Sequence, residues 1–260
     1  MSTDVSKNLA STMPAHVTKE DKSKGVGDIK NFVRPPRLKI VQFIKSDTYD
    51  KFDPGTLIVV PQLAAITMPI TFTPLFFFPE WCVWNPIQLR SMLPVIRERT
   101  FNPNSQIASK SRNSSQRSFD CPENKEYKCT IAEHLNLLVM IHGDTDVQNV
   151  PVVMTFLRGE YKTGQTLLSM IQLRGKSIYA GIYAATIDKN KPRVNDKGKW
   201  FGFDFTNPDG EAWVQNEAEF NVYKTLHESY ATAHANQSII IEHDDLPDTG
   251  VNDPADSSVF

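Results

Sequence analysis

Between Ile66 and Trp84 the chain reads ITMPITFTPLFFFPEWCVW, and prolines at 69, 74 and 79 rule out a continuous helix through it. The residues between them are largely β-branched or aromatic, so the stretch is predicted to be strand. Proline cannot donate to a ladder, so it must fall at sheet edges or bulges. Such a strand needs partners, and the sequence supplies them. A diproline, Pro35-Pro36, precedes a strand predicted at Leu38 to Ile44, and the turn Asp53-Pro54-Gly55 leads to a short second one in TLIVVPQ, Thr56 to Gln62. HLNLLVMIHG, His134 to Gly143, and NVPVVMTFL, Asn149 to Leu157, read as buried strands. SIYAGIYAATI, Ser177 to Ile187, and GKWFGFDFT, Gly198 to Thr206, read as a long hairpin whose tip carries Lys189, Lys191, Arg193, Lys197 and Lys199.

Helical periodicity is confined to two segments. TGQTLLSMIQL, Thr163 to Leu173, places Leu167, Leu168 and Ile171 on one face, with Thr163 as its cap. Asn216 to His234 sets Phe220, Tyr223, Leu226, His227 and Tyr230 on or beside one stripe of an exposed helix. From Arg97 to Arg117 the text is RERTFNPNSQIASKSRNSSQR, with no acid between Glu98 and Asp120, and residues 97–120 are predicted to be a mobile basic loop. Residues 1–33 read as a disordered arm, 34–235 as one domain, and 236–260 as a disordered acidic tail. The expected class is mainly β with few helices, in the α+β sense. Strands, a short helix and two further strands fit an OB-like Greek-key β-barrel with long insertions and disordered termini, and also fit a β-sandwich with a decorating helix.

With 260 residues of which 40% are hydrophobic, the chain can bury one substantial core. No run approaches the roughly 20 apolar residues of a membrane span, and the N-terminus has no apolar export region, so a soluble intracellular protein without membrane partners is expected. The net charge of −2 conceals an opposition. Without the six acids after Ile241 the body holds 28 basic against 24 acidic residues. A weakly cationic body with an anionic tail suits an electrostatic ligand surface with a built-in competitor, and equally a tail that serves solubility.

Catalytic signatures are missing from the sequence: there is no GxxxxGKS/T, no GxGxxG after a strand, no GxSxG and no HExxH. No enzymatic activity and no cofactor is expected. Cys121 and Cys129 are eight apart, with Cys82 and His134 to complete a metal site, but structural zinc normally shows C-x2-4-C pairs, so reduced buried thiols are the leading expectation for all three cysteines. The aromatic residues say more. If Ile182 faces the core, Tyr179 and Tyr183 turn outward, and Trp200 lies opposite Phe201, Phe203 and Phe205 on the next strand. Trp81 and Trp84 point to opposite faces, one into the core and the other, here taken as Trp84, toward the same groove. Rings on a sheet with cations in flanking loops are what single-stranded nucleic acid requires, bases stacking and phosphates pairing with Lys110, Arg112, Arg117, Lys189, Lys191, Arg193, Lys197 and Lys199. The alternative is that these rings cover the sheet against the N-terminal arm or the last helix.

The order PPRLKIVQ, then DPG, then WNP at Trp84 to Pro86, then VPVVMTFLRGEYKTGQTLL, SIYAGIY and GKWFGF followed by Trp213 resembles a group of tailed-bacteriophage single-stranded DNA-binding proteins over Arg34 to Val222. The resemblance implies an OB-like core that coats strands exposed during phage replication or recombination, in the cytoplasm of the infected host, with no bound nucleotide and no catalysis. The chain departs from that pattern in lacking paired CxxC motifs before the His134 strand. The tail resembles a second group, bacterial single-stranded DNA-binding proteins, whose acidic ends finish in Pro-Phe. That likeness implies that Asp244, Asp245, Asp248, Asp253 and Asp256 compete with DNA while Phe260 docks replication and recombination partners, although Val259 stands where proline is expected. A phage virion structural or assembly protein is the competing expectation. Oligomeric state is not readable from the sequence.

Overall fold

A computed structural model describes residues 34–43, 51–143, 150–195, 198–208, 212–239 and 241. The expected arm at 1–33, the tail from 242 and Lys197 lie outside them. The strands are β1 (Arg37–Ile40), β2 (Leu57–Val60), β3 (Ala64–Ile66), β4 (Ile70–Trp84), β5 (Ile96–Thr100), β6 (Ser118–Asp120), β7 (Lys128–His142), β8 (Pro151–Phe156), β9 (Gly181–Thr186), β10 (Arg193–Asn195), β11 (Gly198–Trp200), β12 (Asp204–Thr206) and β13 (Ala212–Trp213). Three α-helices accompany them: α1 (Gln106–Arg112), α2 (Tyr161–Leu173) and α3 (Glu217–Ala235). The fold is mainly β, as the sequence predicts.

One 11-stranded sheet runs β12-β9-β4-β7-β8-β1-β2-β3, with β5 beside β4, β6 beside β7 and β13 beside β9. Its backbone is the antiparallel pair β4 and β7, 15 residues each, in register from Thr71↔His142 to Trp84↔Thr130. β4 passes through Pro74 and Pro79, and a register shift falls between Pro74 and Phe76. The extra residue there means that Pro74, opposite Val139, and Pro79, opposite Leu135, are an even number of ladder steps apart. Both prolines therefore turn their ring nitrogens to the same edge. That edge is covered by β9 at Ile70 to Phe72 and by β5 at Trp81 to Trp84, and no described strand pairs with it between. The prolines sit where no N–H is required, as edge-or-bulge reasoning expects.

Both faces of the sheet are buried, which explains the near-continuous apolar text of β7. On one face Phe72, Leu137, Val139, Ile141, Met154 and Phe156 join Leu57 and Val59 of β2, Tyr183 and Ala185 of β9, Leu167 and Ile171 of α2, and Phe201 and Phe203. Because strands from both ends of the sheet enter one cluster, the sheet is curled into a half-barrel. Its ends meet through side chains: Gln42 Nε2 donates to the Phe201 carbonyl at 3.0 Å, Phe201 N donates to Gln42 Oε1 at 2.8 Å, and Lys189 Nζ donates to Thr56 Oγ1 at 3.2 Å. Each large apolar side chain fully buried here contributes about 1.5–3 kcal/mol. The opposite face packs Leu75, Phe78, Leu138, Met140 and Val153 against Tyr223, Leu226 and Tyr230 of α3.

Several segments differ from expectation. The predicted mobile loop at 97–120 contains β5, α1 and β6, and α1 is capped by Ser105, whose side chain accepts from Ala108 N. Ile178–Ala180 form a turn of 3-10 helix, so β9 begins only at Gly181. Gly198 to Thr206 is two strands: β11 pairs with β10 in a separate hairpin, while β12 pairs with β9. α2 starts at Tyr161, two residues before the expected cap Thr163, and Glu160 gives it no side-chain cap; Thr163 Oγ1, inside the helix, accepts from Arg193 at 2.6 Å. Ile239 and Ile241, assigned to the tail by sequence, are buried against the α3 face of the sheet.

Candidate nucleic-acid interface

The turn from β8 into α2 is built around Arg158, whose φ of 49° is left-handed, and Gly159. A Cβ on Gly159 would lie 3.0 Å from Cε2 and Cζ2 of Trp200, so glycine here gives the indole room to pack closely on the turn. The ring is half-buried, and its Nε1 donates to Glu160 Oε1 at 2.9 Å. Arg193, opposite Trp200 in the β10–β11 register, donates to the same oxygen at 2.6 Å, to the Phe203 carbonyl at 2.6 Å and to Asp204 Oδ1 at 3.2 Å. Phe203 N adds a bond to Glu160 Oε2 at 3.2 Å. Burial raises the Glu160 pKa against the opposing pull of Arg193. The net result is a hairpin clamped to the start of α2, with its indole orientation fixed by a charge-assisted bond. Arg193, expected as a phosphate ligand, is engaged in this clamp. Lys199 on the hairpin, and Lys189 and Lys191 before it, are exposed.

A second group of cations lies on and just after α1. Lys110 and Arg112 are exposed on α1, and Arg117 follows it, half-buried, its Nε donating to the Ser111 carbonyl. Lys110 Nζ lies 6.0 Å from the Phe119 ring and lines a shallow cavity with Arg99, Gln106 and Phe119. The hydroxyl of Tyr161, first residue of α2, is pushed up to about 12 by burial and by Glu133, while the charges of Arg117 and Arg112 pull it down. Those two arginines are therefore close to the helix start that also carries Glu160 and Lys162. Arg112 and Arg117 thus act electrostatically on the helix start at Tyr161, and Trp200 packs on the turn that precedes it. Tyr161, Lys162 and Arg158 escape a sequence reading, because they sit in what reads as a polar turn and gain meaning only from what folds around it.

A family model for the Pam3 phage gp34-like protein matches residues 6–236, which include every one of these groups. The chain belongs to that family. It is accordingly placed among phage proteins. No curated protein and no solved structure matches it. In this Pam3 gp34-like chain no described helix is long and apolar enough to cross a membrane.

The other stacking candidates of the gp34-like chain are placed differently from expectation. Tyr183 is 1% exposed, its ring under the Arg174 guanidinium at 4.1 Å and beside Phe72 at 6.1 Å. Gly181, Tyr183 and Ala185 form the buried side of β9, so the core face is the one opposite Ile182. Tyr179, in the 3-10 turn, is covered by α3, with Phe220 and His227 each 5.2 Å from its ring. Tyr179 thus fits the covering alternative, packed on the last helix, whereas Tyr183 belongs to the curled core. Trp81 is buried, as one of the pair must be, while Trp84 is half-buried against His134 at 5.7 Å. Phe201 and Phe203 are buried and Trp200 is not, matching the predicted division of that segment.

The three cysteines are buried and unpaired by disulfides. Cys121 Sγ donates to Glu123 Oε2 at 3.1 Å and Cys129 Sγ to Asn85 Oδ1 at 3.7 Å, and burial together with Cys121 pushes the Cys129 thiol up to about 11. Cys82 and His134 do not complete a site with them. They converge instead with Glu80, and these three are the only such group of metal-ligand side chains among the described residues.

Proposed function

We propose that this chain is a sequence-independent single-stranded DNA-binding protein that coats strands exposed during phage replication or recombination in the host cytoplasm. The observation that carries the reading is the half-buried Trp200 indole, held at the hairpin–α2 junction on a hairpin that exposes Lys199. An aromatic face accepts any base, and Lys110, Arg112, Lys162, Lys189, Lys191 and Lys199 supply sequence-blind phosphate contacts. The curled sheet serves as an OB-like platform for this surface, a role that the shared one-sided core supports. In this proposal Asp244, Asp245, Asp248, Asp253 and Asp256 compete with DNA for the cations, and Phe260 anchors a partner. All six lie outside the described residues.

The test is a fluorescence titration with oligo-dT at low and high salt. Binding that weakens steeply with salt, from counterion release, is expected. Absence of binding at low salt, with the protein present at fixed stoichiometry in purified particles, would replace this reading with a virion structural role.

A further inference from the structure

We infer that Glu80, Cys82 and His134 form a binding site for a zinc-class divalent metal ion, which ties β4 to β7 at the face opposite the curled core. Glu80 and Cys82 are two apart on β4 and so point to the same side, and Glu80 is in direct register with His134 on β7. Their donor atoms all lie within 4.8 Å of one another, with His134 Nδ1 3.7 Å from Glu80 Oε2. Donors sharing one tetrahedral zinc are roughly 3–4 Å apart, given metal–ligand distances of about 2.0–2.3 Å.

The identity of the donors selects the metal. A thiolate, an imidazole and a carboxylate exclude magnesium and calcium, which take oxygen, and match zinc or cobalt, with water in the fourth position. The outer contacts orient the carboxylate as metal sites require. Arg99 Nε holds Glu80 Oε1 at 2.9 Å, and Asn136 Nδ2, itself braced by Thr155 Oγ1 donating to its Oδ1 at 2.8 Å, approaches Oε2 at 3.3 Å. All three donors are completely buried.

The signal is invisible to motif searching: the ligands are Glu-x-Cys on one strand and a histidine 52 positions later on its neighbour. The full-length reduced protein, stripped of metal, is titrated with cobalt(II) alone. One equivalent should bind with thiolate-to-cobalt charge-transfer absorption. Cys82→Ser should abolish that absorption, and Glu80→Gln and His134→Gln should each weaken binding at least tenfold. The double variant Cys121→Ser/Cys129→Ser should bind as the parent does. Circular dichroism of each variant separates loss of the site from loss of the fold, and zinc should raise the melting temperature of the parent but not of His134→Gln. Absorption that survives Cys82→Ser, absorption lost in the Cys121/Cys129 double variant, or a folded parent chain without thiolate absorption would each overturn the assignment.

Discussion

At the scale of single residues, the Glu160 carboxylate organises the proposed DNA surface, and it does so in space that a missing side chain leaves open. A Cβ on Gly202 would lie 2.2 Å from Glu160 Oε1, so Gly202→Ala must expel the carboxylate from its bonds to Arg193 and Trp200. Denaturant unfolding should show a loss of about 1–3 kcal/mol, the usual range for overpacking. Trp200→Ala removes one of the same bonds and should cost some stability, but its main effect should be to weaken oligo-dT binding by about 1–3 kcal/mol, the worth of one stacked base, as read by titration. Tyr183→Ala should do the reverse, since that ring is core. Trp200 was legible because Phe201, Phe203 and Phe205 mark the core side of its segment and Trp200 alternates with them. Tyr183 was not, because β9 alternates Gly, Tyr and Ala with Ile and Ala, apolar on both sides, and alternation cannot choose between two buried faces.

Among the elements, α3 is the most exposed to chemical control. It begins at Asn216, whose side chain accepts from the N–H groups of Ala218 and Glu219, and it reaches the unpaired stretch of β4, where His227 Nδ1 lies 2.8 Å from the Leu75 carbonyl. Tyr223, 4% exposed, anchors it, and Tyr223→Ala should cost about 3 kcal/mol in a denaturant melt. Burial lowers the pKa of His234, set among Phe76, Phe78 and Phe101, and of His142, beside Tyr223, where Glu219 opposes the shift. The unfolded chain therefore takes up protons first. The stability these neutral imidazoles contribute is whole above about pH 6.5 and is lost as pH falls below it. Urea midpoints on either side of that pH should differ, and His234→Phe should shrink the difference. The position of α3 was readable from its apolar stripe. α1 was not, since a seven-residue helix with two buried apolar side chains, Ile107 and Ala108, shows no period, and only the Ser105 cap marked its start.

For the whole molecule, the strand content was legible and the strand order was not. β1 lies parallel to β8, pairing Leu38 with Met154 across more than a hundred residues, and no local pattern announces such a contact. The docking of Ile239 and Ile241 sets where the charged end can be cut: a chain ending at Ile241 keeps its core and changes from a net −2 to +4. Under the DNA-binding proposal this truncation should raise oligo-dT affinity, most at low salt where charges are least screened. Equal affinity would confine the tail to partner recruitment. The proline-marked side of β4 carries a further consequence, for behaviour at high concentration. A 15-residue strand with a partly unpaired side is a template for joining molecules into fibres, and Pro74 and Pro79 deny it the donors that such joining needs. Pro79→Thr should restore a donor, and light scattering should then show aggregation that grows with protein concentration while the parent chain stays dispersed.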